Sequence, residues 1–289
     1  HRHGCRVFVR LHSQMGAVMP DVTPDTKKVW QRRDRNHQIM IWLGQFIAVA
    51  IFMYCWHLVS EKTTWFFVLD APRIATDMLE RMMPPKWTYM ETLWRPIWDT
   101  VAIATLGTLM AVVMAFPIAF LAARNTTPST AFVRPIALFI IVASRSINSL
   151  LWALMLVTVL GPGVLAGVLA IGFRSIGFVA KLLYEAIEEI NETQVEAVTA
   201  TGASGPQILN YGIVPQILPA FAGISVFRWD INIRESAVLG LVGAGGIGLQ
   251  LSASIDTVTW TQVSVILIVI LATVIVSEWV SAKVRHSII

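Results

Sequence analysis

Charge is scarce in this sequence. Asp, Glu, Lys and Arg make up 14% of its 289 residues, and apolar side chains make up 55%. A soluble domain carries roughly 25% charged residues, so this chain lacks the polar surface to dissolve as a monomer. Its mean hydropathy is +0.65. Cysteine is scarcer still. Cys5 stands in a polar tail and Cys55 in an apolar run, a placement that suggests neither a disulfide nor a metal site. His1 and His3 form an isolated pair at the start and read as tail rather than ligand. No Lys follows a Gly anywhere, so the Gly-Lys-Ser/Thr of a phosphate-binding loop is missing. His-Glu-x-x-His, Gly-x-Ser-x-Gly and clustered histidines are missing too, which ranks an intramembrane enzyme last.

What the sequence has is long apolar runs. A spanning helix needs about 20 mainly apolar residues, and the stretches Ile39 to Val59, Ile97 to Ala122, Pro135 to Leu160, Val164 to Leu183, Gln216 to Leu241 and Val258 to Val280 qualify. The first is too long for a signal-peptide core and has no small-residue cleavage pattern, so it reads as a retained span. The expected class is an all-α integral membrane protein with about six transmembrane helices.

Orientation follows from Lys and Arg in short loops, which favour the cytoplasm. Arg2, Arg6, Arg10, Lys27, Lys28, Arg32, Arg33 and Arg35 precede the first run, and a membrane flank explains them better than nucleic acid does. With that end inside, the Arg124 to Arg134 loop, the 184–215 loop and Lys283 with Arg285 are also cytoplasmic. The division is then a basic tail over 1–37, a first span over 38–60, a periplasmic segment with interfacial helices over 61–96, and a core over 97–289. Trp65, Trp87, Trp94 and Trp98 suit the membrane interface.

The 184–215 loop is the longest inner polar stretch. Glu185 to Ile190 favours helix, a second short helix fits Val195 to Thr201, and Gly202 is a plausible stop. Small residues follow at Ala203, Ser204 and Gly205, and Pro215 precedes the next span. Periodicity alone leaves an ordinary amphipathic surface loop equally open.

Glu196-Ala197-Val198, Gly202 and Pro215 resemble the EAA motif of ABC-importer permeases: Glu-Ala-Ala, three residues, Gly, nine residues, Ile, one residue, Leu-Pro. Val198, Gly212 and Val214 depart from it, while Glu196, Gly202 and Pro215 stand. Ala143 to Asn148, Gly161-Pro162-Gly163, Ala166 to Ala170, Tyr211 to Gln216, Asn232-Ile233-Arg234 and Val242 to Gly248 follow in an order similar to permeases for phosphonates and related oxyanions such as phosphite. The likeness covers roughly 100–281. It implies a type I importer fold in the bacterial inner membrane, with a short coupling helix seated in a groove of a cytoplasmic ATPase. Glu196, Ala197, Thr201, Gly202 and Ala203 would make that contact. It also implies a second permease copy, read as a homodimer, two ATPase subunits carrying ATP and Mg, and a periplasmic substrate-binding protein. No cofactor is expected on this chain.

Ionisable residues also stand inside the runs. Arg145 falls near the middle of the third, with Ser144, Asn148 and Ser149 beside it on a helix. It is either a structural arginine or part of an anion pathway. Arg228, Asp230, Arg234 and Glu235 interrupt the fifth, with Asn232 among them. Asp230 and Arg234 are four apart and can pair along a helix. A guanidinium suits tetrahedral oxyanions, so Arg145, Asn148, Arg228, Asn232 and Arg234 are the candidate substrate pathway. The run Gly243 to Gly248 fits Gly-x-Gly-x-x-Gly, but a dinucleotide site needs a preceding strand and an acid about 20 residues on. Gly243, Gly245, Gly246 and Gly248 read instead as a backbone bend near an outer gate. Gly163 and Gly167 read as a helix-packing face. The competing function is an ion-gradient-driven transporter of a small anion, whose inverted repeats are not visible here.

Overall fold

The computed structural model describes residues 35–288 and, among those, contains helices and connections without a strand. The basic residues up to Arg33, with Cys5, His1 and His3, lie outside the described residues. The chain divides into two compact units, one ending at Ala71 and the other running from Pro72.

In the first unit, α1 covers Arg35–Lys62. Its apolar side chains are exposed all round, as a helix meant for hydrocarbon requires. A short break leads to α2, Trp65–Met82, which runs past Ala71. At 100° per residue, Asp70, Arg73, Asp77, Glu80 and Arg81 fall in one stripe of α2, and apolar residues fill most of the rest.

The second unit is built around two parallel helices, α3 (Met90–Ala122) and α6 (Val164–Glu188), paired from Ile103 beside Gly167 to Arg124 beside Glu188. Small side chains let them approach. On α3, Ala104, Gly107, Ala111, Ala115, Ala119 and Ala122 form a buried stripe at helical spacing. A Cβ on Gly107 would lie 2.8 Å from Cγ2 of Ile171, and one on Gly172 would lie 1.9 Å from Cε of Met110. Without a hydrophobic drive inside lipid, such backbone proximity is how spans associate. α8 (Val214–Leu239) packs on both, and α10 (Trp260–Ile288) packs on α8.

The expected third span is not one helix. α4 (Val133–Ser146) and α5 (Ser149–Leu160) meet at 86°. Ile147 is extended and the side chain of Asn148 accepts from Leu150 N–H, so Asn148 starts a new helix. Ser and Asn are poor helix-interior residues because they bond nearby backbone, and here that competition breaks the run. Counting α4 and α5 as one broken span gives up to six spans, otherwise five.

Two sets of connections gather at opposite ends of α6, whose 25 residues give a length of roughly 37 Å. At its C-terminal end, Glu188 accepts from Arg124 N–H at 2.9 Å and pairs with Arg134 at 3.4 Å. At its N-terminal end, Gly163 N–H donates to Gly243 O at 3.0 Å. At the start of α3, Lys86 N–H donates to Thr261 O at 3.2 Å and Tyr89 donates to Gln250 at 3.0 Å. The fourth and sixth runs extend further than the sequence predicts, to Glu188 and Ile288.

Candidate functional site

The loop after α6 is shorter than its polarity suggests. Residues 185–188 continue α6, and Ile208–Ile213 form a π-helical turn that runs into α8. Between them stands α7, Glu192–Ala200, capped by Asn191, whose side chain accepts from Thr193 N–H at 3.0 Å. Gly202 follows at φ +78°, the left-handed conformation in which a helix ends without a Cβ penalty. Ser204 N–H then donates to Gln207 Oε1 at 2.8 Å, and Pro206 restarts the helix.

Glu196, Ala197, Thr201 and Gly202 are exposed, and Ala203 is half-buried. Ala197, Thr201, Gly202 and Ala203 line an open concavity of about 590 Å³ with Val198, Gln207 and Tyr211. The opposite side of α7 is fixed. Val195 packs on the cluster that holds Ile187, Ile213 and Ile217, and its Cα lies 3.6 Å from where a Cβ on Gly212 would sit. Asn191 N–H donates to Gln216 Oε1 at 2.9 Å, and Gln216 Nε2 donates to Gly212 O at 2.7 Å. An exposed helix is thus tied to a long one through side chains of α8 itself.

The ionisable residues of the runs form two clusters on opposite faces of α8. On one face, Arg228 is 3% exposed, and its Nε donates to Ser175 Oγ at 2.9 Å. Its Nη2 pairs with Glu235 at 3.3 Å, and its guanidinium lies 5.1 Å from the Phe178 ring centre. Arg174 of α6 pairs with the same Glu235. Asn232, fully buried, donates to Thr108 at 2.7 Å and accepts from Ser175 at 3.2 Å. On the other face, Asp230 pairs with Arg234 as the spacing predicts and accepts from Ser277 of α10 at 3.0 Å. An unpaired charge at this depth costs ~2.5–3.5 kcal/mol even on insertion scales, so these pairings decide whether the helix can be accommodated.

The five candidate pathway residues are therefore dispersed. Arg228 and Asn232 share a cluster, Arg234 lies across the helix from them, and Asn148 is an exposed cap. Arg145 is not mid-helix. It stands exposed in the last turn of α4, where the break directs the chain away. Arg174 and Ser175 join the cluster without having been singled out. Arg174 carries the same signal as Arg145, an ionisable residue inside an apolar run. Ser144, beside Arg145, reaches α6. Its hydroxyl donates to Phe173 O and accepts from Gly177 N–H at 3.0 Å, so it bonds both ends of one turn of α6.

The glycine run is a bend. Gly243, Gly245 and Gly246 have φ of +87°, +83° and +73°, and α9 (Ile247–Asp256) starts directly after. A Cβ on Gly248 would lie 2.0 Å from Ala237 O. The element before this run is helical, so the dinucleotide fingerprint has no strand to stand on. Of the glycine pair in the fourth run, Gly167 lies where an added Cβ would stand 2.7 Å from Ala244 O, while Gly163 precedes the helix.

Residues 115–286 match the sequence profile of the family described as binding-protein-dependent transport system inner membrane component. The chain belongs to this family. It is an inner-membrane permease component of an ABC transporter, which favours ATP-driven over gradient-driven transport. The permease is 39% identical over 246 residues to the phosphite transport system permease protein PtxC of Stutzerimonas stutzeri, covering 84% of this chain and 88% of that one. It is 35% identical to the putative phosphite transport system permease protein HtxC of the same organism, covering 92% of this chain and 91% of the other. A phosphate-import permease, PhnE of Mycolicibacterium smegmatis, is 38% identical over 76% of this chain and 41% of its own length. Among solved structures, a chain of the MetNI methionine ABC transporter, in an inward-facing conformation, superposes with a TM-score of 0.61 at 20% identity. That match covers 70% of the permease and 98% of the other chain, and it establishes the type I importer fold.

Proposed function

We propose that the permease moves a phosphorus oxyanion of the phosphite or phosphonate class inward, driven by ATP hydrolysed on a separate subunit. The observation that carries the coupling is the attachment of α7 to α8 through Asn191 and Gln216. Motion applied to the exposed face of α7 passes to the helix that bears Arg228 and Asn232 instead of being lost in a flexible loop. Glu196 supplies charge to the ATPase groove in which α7 sits, and Ala197, Thr201, Gly202 and Ala203, which line a concavity beside it, complete the contact. ATP and Mg belong to that partner.

The relatives named for phosphite support the substrate reading, and two arginines in spanning helices, Arg228 buried and Arg174 half-buried, agree with an anion. A second permease copy completes the pore, two ATPase subunits drive it, and an external binding protein delivers the anion. The basic tail over 1–37 then lies in the cytoplasm. The stretch over 61–96 lies on the periplasmic side, with α2 resting its apolar arc on the membrane surface. The bend at Gly243, Gly245 and Gly246, with Gly248 behind it, serves as the outer hinge.

The test is reconstitution of the permease with its ATPase and binding protein in liposomes, offering phosphite, methylphosphonate and phosphate. ATP-dependent uptake of at least one is expected. Uptake that needs an ion gradient but no ATP, or ATP-driven uptake of none of the three, would overturn the reading.

A further inference from the structure

Between α6 and α8 one carboxylate answers two guanidinium groups. Glu235 pairs with Arg174 and, at 3.3 Å, with Arg228. The three side chains carry a formal charge of +1, two Arg less one Glu, inside helices long enough to cross a membrane. Such an excess is costly in hydrocarbon and persists where it meets protein, water or a passing ion. Asp230 and Arg234, by contrast, neutralise each other on the far face of α8.

The two arginines are not equivalent. Arg228 is committed: Ser175 holds its Nε, Phe178 covers its face, and Asn232 anchors Ser175. Arg174 is 32% exposed. Among the described residues its hydrogen bonding goes to Glu235 through Nη1, which leaves most of a guanidinium's donors unspent. It also stands in the turn of α6 whose Phe173 O and Gly177 N–H both bond to the Ser144 hydroxyl.

We propose that Glu235 is an internal stand-in for the transported anion. A tetrahedral phosphorus oxyanion displaces it from Arg174 and is held briefly between the two guanidinium groups. This rests on the substrate reading above. A carboxylate and a phosphorus oxyanion offer the guanidinium fork the same pair of oxygens, so exchange conserves the hydrogen bonds. The returning carboxylate competes for Arg174 and repels the anion, so the site empties as well as fills. A conduit needs that weakness. Arg228 is the fixed half of the site and Arg174 the moving half.

The test uses the reconstituted complex with phosphite outside and increasing phosphite in the lumen. Glu235→Gln removes the competitor, so lumenal phosphite is expected to inhibit uptake at about one-tenth the concentration that inhibits the unmodified complex, the effect of losing one charged partner. Glu235→Asp, which keeps the charge and shortens the reach, gives an intermediate shift. Arg174→Gln lowers the uptake rate about tenfold and Arg174→Lys restores part of it, each scored per assembled complex recovered with its ATPase. A Glu235→Gln or Glu235→Asp complex with the unmodified dependence on lumenal phosphite overturns the proposal. So does Arg174→Gln within twofold of the unmodified rate, and so does failure of either Glu235 variant to assemble when Glu235→Ala also fails, since the carboxylate would then be structural. Failure of the unmodified complex to import any of the three anions overturns the substrate reading itself, a distinguishable result.

Discussion

The backbone N–H of Asn191 donates to Oε1 of Gln216 at 2.9 Å, fastening the head of α7 to the first turn of α8. The Gln216 side chain donates onward through Nε2 to Gly212 O at 2.7 Å, within the π-helical turn that leads into α8. Asn191 also caps α7 through its own side chain. One residue of the long helix thus satisfies groups on the short one, and a push on either is felt by the other.

Replacing Gln216 by Leu keeps its bulk and removes its hydrogen bonds to Asn191 and Gly212. The number of anions moved per ATP is expected to fall about fivefold, equivalent to roughly 1 kcal/mol of lost hydrogen bonding. Uptake and phosphate release measured together in liposomes check it. An unchanged ratio means that α7 is coupled by other contacts.

Gly202 ends α7 at φ +78°. A β-branched residue there costs about 1–2 kcal/mol of backbone strain, so Gly202→Val is expected to reduce the ATPase recovered with the purified permease. Gly202→Asn, tolerant of that conformation, should reduce it less. Equal recovery of both variants with the parent would show that the turn does not need glycine.

Gly248 touches the carbonyl of Ala237, which would lie 2.0 Å from an added Cβ, whereas Gly44 in α1 has nothing within 4 Å. Gly248→Ala must therefore push α9 off α8, at about 1–3 kcal/mol, and lower the melting temperature of the detergent-solubilised protein. Gly44→Ala should not. A Gly248→Ala melting curve that overlays the parent would mean that the two helices are loosely packed.

Asp230 is buried, while its partner Arg234 is about half exposed. Removing the carboxylate by Asp230→Ala strands the cation in the membrane, so that variant should be less stable than Asp230→Ala combined with Arg234→Ala. Breaking a buried pair by one partner typically costs 3–5 kcal/mol, which the partial exposure of Arg234 reduces here. Melting curves for the two single variants and the double variant decide it. A double variant worse than both singles would give Arg234 a role beyond this pair.

Much of the fold was legible because its signals are local. The runs behind α1, α3, α6 and α10 are long enough to be recognised by length and hydropathy alone. The end of α7 was legible from Gly202, and the Asp230–Arg234 pair from its spacing of four. The break in the third run was not. Ile147 and Asn148 sit in an apolar context that helix and bend share, and the choice rests on the Asn148 side chain capping α5 and Ser144 reaching into α6. The site was half legible for the same reason. Composition exposes charged residues within spans, but not which of them share a face of α8 with α6.

By itself, then, the sequence determined that the chain enters a membrane, where most of its apolar helices lie, and that the loop after the fourth run carries a Glu, Gly and Pro spaced as in the EAA motif. These follow from hydropathy and backbone rules that act over a few residues. Only the tertiary structure decided that Arg174 and Arg228 converge on Glu235 while Arg234 turns away, and that Gln216 holds α7. Those outcomes depend on how α6, α7 and α8 rotate about their axes. That rotation is set by small residues packing backbone against backbone, which no single helix encodes.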